Sequence, residues 1–154
     1  MLSVLHFIIY FLVSFLPVST WMHGVQGQPA TFLATKVNSD SEKLVSNLIY
    51  RRLLYQNPVT GDVELDLLDN YSVIEEGLVY EVTLKKGQYW QDGVEITADD
   101  ILYTASISKN LSEVSSDKIN KYKVRFILPN RYSGFTSVLS LNLLPAHLKG
   151  KDNP

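Results

Sequence analysis

The chain has 154 residues, a one-domain length, with 14 Lys and Arg against 16 Asp and Glu and a net charge of −2. So even a balance excludes the broad basic face that nucleic-acid binding requires. The absence of cysteine excludes disulfides, cysteine-ligated zinc, thiol catalysis and lipid attachment to an N-terminal cysteine.

Residues 2–22 are almost wholly apolar, and the first charged side chain is Lys36. A run of this kind suits a membrane-spanning helix, which needs ~20 apolar residues, or the shorter core of a signal peptide. A retained anchor over residues 1–23 is the expectation, and cleavage after Gly27, behind Val25-Gln26-Gly27, is the alternative. A segment apolar on all sides that was buried instead would need a larger protein around it. The usual basic flank is missing, so orientation is not set by positive charge; a start upstream of Met1 would account for that.

From Gly24 to Lys36 the chain reads as extended. Ser39 and Glu42 have the spacing of a capping box, and Leu44, Val45, Leu48 and Ile49 form an apolar stripe, so a helix is expected to end near Tyr50. Arg51 and Arg52 would fall in its last turn, where positive charge suits the helix dipole. Asn57 to Asp62, with Pro58 and Gly61, is a turn. Tyr71–Ile74 and Leu78–Leu84 read as a β-hairpin across Glu75-Glu76-Gly77.

The stretch Tyr89 to Tyr103 packs a strand end, a tight turn and a helix start together. Asp92-Gly93 supplies the turn, since Gly accepts positive φ and Asp bonds nearby backbone. Thr97 stands three residues before Asp100 as a capping pair, and Ala98, Ile101, Leu102 and Ala105 give the helix one apolar face. Lys109 to Lys118 is polar and reads as a loop with some helix. Lys121 to Leu128 alternates with period two and stops at Pro129, so Lys121, Lys123 and Arg125 line the solvated face of a strand. Phe135, Val138 and Leu139 suggest a short helix, and Leu141 to His147 follows.

The run Trp90-x-Asp92-Gly93-x-x-Ile96-Thr97-Ala98-Asp99-Asp100-Ile101 resembles the signature of the extracytoplasmic solute-binding proteins of the oligopeptide, dipeptide and nickel type, family 5. Lys85-Lys86-Gly87 before it, Leu53-Leu54-Tyr55, Leu144-Pro145-x-His147 and the opening Gly24 to Pro29 are similar to the family as well. Val63–Leu68 lacks the family's Pro, and Arg51-Arg52 stand where relatives carry an acidic or small residue and Gly. The resemblance implies an α/β fold, a mixed sheet with packed helices. It would form part of the first lobe of a bilobal type II periplasmic-binding-protein fold, behind an N-terminal hydrophobic helix. It covers residues 24–150, only the start of that lobe, which implies an N-terminal fragment. It also implies capture of an oligopeptide or other small solute outside the cytoplasmic membrane, delivery to ABC permease subunits, no cofactor and no enzymatic activity. The loop that touches bound peptide in relatives falls on Val37, Asn38, Ser39 and Asp40, residues that equally serve to cap the helix.

Local chemistry offers little beyond this. His147 is the only histidine beyond the apolar region and has no Asp or Glu at helical spacing, so it makes no metal site alone. There is no G-x-S-x-G elbow and no glycine-rich phosphate loop. Two rival readings are a small membrane-anchored β-rich interaction domain without a transport role, and a hydrolase using Asp92 with Asp99 or Asp100. The hydrolase requires those acids to share a cleft.

Overall fold

The computed structural model describes residues 39–150. The expected anchor or signal over 1–23, the stretch 24–36, and Val37 and Asn38 lie outside the described residues. Among the described residues no helix is long and apolar enough to cross a membrane.

Helix α1 spans Asp40–Ile49 and opens on the expected capping box. The Ser39 hydroxyl accepts from the Glu42 N–H at 3.2 Å, and the Glu42 carboxylate accepts from the Ser39 N–H at 3.0 Å. Its inward face is not the one expected. Glu42 and Ser46 are buried and Val45 and Ile49 half-buried, while Leu44 and Leu48 are exposed. The polar residues turn inward because they find partners there: Asn142 Nδ2 donates to Ser46 Oγ at 3.0 Å. The arginines also depart from expectation. The backbone becomes extended at Tyr50, so Arg51 and Arg52 lie past the last turn. Arg51 pairs with Asp66 at 2.5 Å, and Arg52 Nε donates to Asn142 Oδ1 at 3.1 Å, which fastens the end of α1 to two distant segments.

Strands β1 (Leu54–Gln56) and β2 (Val63–Leu65) form an antiparallel pair around the Asn57–Asp62 turn. Asn57 Oδ1 accepts from the Val59 and Thr60 N–H groups there. The expected hairpin is β3 (Leu68–Ile74) and β4 (Val79–Leu84). Its loop holds Glu75 and Glu76 at φ of 51° and 54° and Gly77 at 92°. Helix α2 (Ala98–Ile107), strands β5 (Ser115–Asn120) and β6 (Lys123–Ile127) and a short helix α3 (Phe135–Val138) follow.

The larger sheet runs in the order β3-β4-β6-β5, with antiparallel pairing throughout. The α/β content is as expected, but the expected mixed sheet is not what these residues form. Among the described residues every strand pair is antiparallel, because β1–β2, β3–β4 and β5–β6 are each joined by a short turn that leaves no crossover for a parallel neighbour. Register places Tyr80 opposite Phe126 and Val82 opposite Val124, and all four are buried on the face that packs inward. Phe135 from α3 closes this core against Tyr80 and Phe126, with ring centroids 4.6 and 5.7 Å away. On the opposite face Glu81 lies across from Arg125 and is held by Lys123 at 2.5 Å and Arg125 at 2.7 Å. The basic residues of β6 thus neutralise a carboxylate on the neighbouring strand, and Lys121 pairs with Glu95.

Strand β5 was not expected, because Ser-Ser-Asp-Lys-Ile-Asn carries no apolar alternation. It is an edge strand, exposed at nearly every position, and main-chain pairing to β6 recruits it where no buried face is needed.

Candidate functional site

The corner that begins at Tyr89 is built by local bonds. The Trp90 N–H donates to the Val94 carbonyl at 2.8 Å, Asp92 Oδ1 accepts from the Val94 N–H at 3.1 Å, and Gly93 takes the positive φ of 85° that the turn requires. The Thr97 hydroxyl accepts from the Asp99 N–H at 3.3 Å and Asp100 reaches back to the Thr97 N–H at 2.8 Å, within the capping box expected of this pair.

Asp100 does far more than cap. Only 3% exposed, it accepts from the Thr97 N–H, from the indole Trp90 Nε1–H at 3.3 Å and from the Ala146 N–H at 2.8 Å. One turn later Thr104 Oγ accepts from the buried Leu144 N–H at 2.9 Å. The two polar residues on the buried face of α2 therefore fix the passage Leu144–Ala146, and Leu102, expected on that face, is only half-buried.

A cavity of about 430 Å³ opens where this corner meets α1, lined by Ile49, Tyr50, Trp90, Gln91, Asp92, Pro145 and Leu148. Three chain segments make its walls: the end of α1, the Trp90 turn and the 3-10 turn Ala146–Leu148. Gln91 Nε2 joins the first two by donating to the Ile49 carbonyl at 2.9 Å. His147 Nε2 joins the last two by meeting Asp92 Oδ2 at 2.6 Å. That bond, then the Val94 N–H, holds the Asp92 carboxyl below its usual range. Burial, then Tyr103, pushes the Tyr50 hydroxyl above its usual value. An apolar, aromatic-lined concavity with a few polar groups at its edge is the ordinary form of a small-molecule pocket.

The acids that a hydrolase would use do not converge. Asp92 pairs with His147, Asp99 with Lys118 at 2.7 Å on the surface, and Asp100 is enclosed at the start of α2. Among the described residues no group of three or more His, Asp or Glu side chains could hold a metal ion. Of the loop expected to meet solute, only Ser39 and Asp40 are described, and both are exposed. Ser39 caps α1, and Asp40 pairs with Lys43 at 3.1 Å. They begin the helix whose other end reaches the cavity, ~15 Å away for ten residues at 1.5 Å each. The structure does not bring them to the cavity. Sequence reasoning missed the His147–Asp92 and Asp100–Ala146 bonds, which join residues 55 and 46 positions apart with no local spacing to announce them.

Residues 62–153 match the model of the bacterial extracellular solute-binding proteins, family 5 Middle. The chain is 29% identical over 140 residues to the oligopeptide-binding protein AppA of Bacillus subtilis, an alignment that covers 82% of this chain and 26% of that protein. The fold superposes on the structure of the Bacillus subtilis AppA solved with a nonapeptide at a TM-score of 0.71, with 28% identity, covering 81% of this chain and 27% of the other. NikZ from Campylobacter jejuni, solved with Ni(L-His), gives a TM-score of 0.71 at 26% identity, covering 84% of this chain and 28% of the other. The chain thus spans about a quarter of the length of these relatives, all of them binding proteins and none an enzyme. With more than half of its residues matched by the family's own model, over a corner whose turn, cap and buried carboxylate the structure accounts for, the chain belongs to the family 5 bacterial extracellular solute-binding proteins.

Proposed function

We propose that this chain is the first part of the substrate-binding component of an ABC importer, which captures peptides or similar small solutes outside the cytoplasmic membrane and delivers them to permease subunits. The family match over residues 62–153 carries this reading, and the likeness to a relative solved with a nonapeptide supports it. In this reading residues 1–23 are a membrane anchor or a removed signal, and residues 24–154 belong to the first of two lobes that close on the solute by a hinge. An extended peptide is then held largely by main-chain hydrogen bonds and water, which accept many sequences. Val37, Asn38, Ser39 and Asp40 are the residues of this chain assigned to touch it.

Calorimetric titration of the complete gene product with a nonapeptide pool, and separately with nickel–histidine, tests the function. Saturable binding of either class is expected. Binding of neither, with no permease or ATPase genes beside the locus, would remove the reading. For the loop, Asn38→Ala and Asp40→Ala are expected to weaken solute binding at least tenfold with the thermal midpoint unchanged. An unchanged affinity would move the site elsewhere.

A further inference from the structure

The wall of the cavity formed by Pro145 and Leu148 is tied to the rest of the protein in three places, and the ties differ in kind. The Leu144 and Ala146 N–H groups donate to buried oxygens of Thr104 and Asp100. The third tie, His147 Nε2 to Asp92 Oδ2 at 2.6 Å, lies at the surface, with the two side chains 28% and 45% exposed. It is the outermost restraint, and it joins one wall of the cavity directly to another. We propose that the His147–Asp92 pair is a charge-dependent latch that fastens the Ala146–Leu148 turn to the Trp90 turn when His147 is protonated and loosens it when His147 is neutral.

Histidine is the side chain whose charge ordinarily changes between pH 5 and 8. The titratable and charged groups facing it come from three packed elements. On the Trp90 turn there is Asp92, and the bond from His147 favours its ionised form. On α2 there are Asp100, bonded to the Ala146 N–H, and Tyr103, whose ring lies 5.9 Å from the Lys149 ammonium. On α1 there is Tyr50, its hydroxyl pushed up by burial. Carboxylates, tyrosines and lysines ionise well outside pH 5–8. A hydrogen bond between two ions is stronger than one with a neutral partner, so the latch holds at pH 5.5 and slackens by pH 8.

The direct readout is amide hydrogen exchange in the 154-residue chain, corrected for intrinsic base catalysis, at the Leu148 and Lys149 N–H groups that close the turn on the Pro145 and Ala146 carbonyls. Protection there is expected to drop about three- to tenfold from pH 5.5 to 8, the difference between a charged and a neutral hydrogen bond. Protection in the body of α2 should stay constant. His147→Gln and Asp92→Asn, both at exposed positions, should abolish the dependence and keep the thermal midpoint at pH 8. Equal protection at both pH values in the parent chain, or a dependence that survives in Asp92→Asn, would overturn the latch.

Discussion

Asp100 shows why a carboxylate in a family signature need not be chemical. It is buried and its two oxygens collect three N–H donors from the Trp90 indole, the start of α2 and the passage after Leu144. Asp100→Ala would strand those donors, each costing about 1–3 kcal/mol when buried and unpaired, so a loss of about 3 kcal/mol or more in urea unfolding is expected. Asp100→Asn, which keeps one accepting oxygen, should lose less. If both variants unfold like the parent, the carboxylate is not the hub described. The ion-paired acids act through pH instead. Lys123 and then Arg125 lower the Glu81 carboxyl, and Lys121 and then Tyr122 lower that of Glu95. The folded chain therefore binds fewer protons than the unfolded one across the carboxylate range, and stability rises with pH there. Their contribution is complete above the unfolded value of ~4.3 and is lost as pH falls through the lower folded values. The urea midpoint should accordingly fall below about pH 4.5, less steeply in Glu81→Gln.

Elements differ in how openly the chain declares them. The Thr97–Asp100 cap, the Asp92-Gly93 turn and the β3–β4 hairpin depend on residues close in sequence, and each stands where the spacing puts it. Strand β5 depends on a neighbour instead of its own pattern, and α1 turns Ser46 inward because of Asn142, 96 positions away. Apolar periodicity measures which residues can be buried, not which are. Leu48→Ala, at an exposed position of α1, is thus expected to change stability by under about 0.5 kcal/mol. Leu53→Ala, 1% exposed, should cost about 2–5 kcal/mol. The β3–β4 loop offers a gain. Glu76 sits at φ 54° and is tied only to exposed Arg131, a pair of small worth. Glu76→Gly is expected to raise stability by about 1 kcal/mol through relief of left-handed strain, visible as a higher thermal midpoint.

At the scale of the molecule, residues 39–150 enclose a core of their own although relatives are about four times longer. Among the described residues no buried side-chain nitrogen or oxygen lacks a partner. The chain is therefore expected to unfold in one cooperative step, with fluorescence and circular dichroism transitions that coincide. Such a result would not speak for an independent interaction domain over a transport protein, because a part of a lobe with a closed core behaves alike. The family was legible in the Trp90–Asp100 corner because local bonds fix its spacing, while the cavity was not, since Tyr50, Trp90 and Pro145 meet only in three dimensions. The Asp100–Ala146 bond also has a meaning in time. During synthesis at ~5–20 residues per second, the 46 positions between the two take about 2–9 s to be made. Small domains complete folding in microseconds to seconds. The ribosome, rather than the search for the native state, thus decides when the corner can close, and until Ala146 is added the Asp100 carboxylate waits without one of its donors.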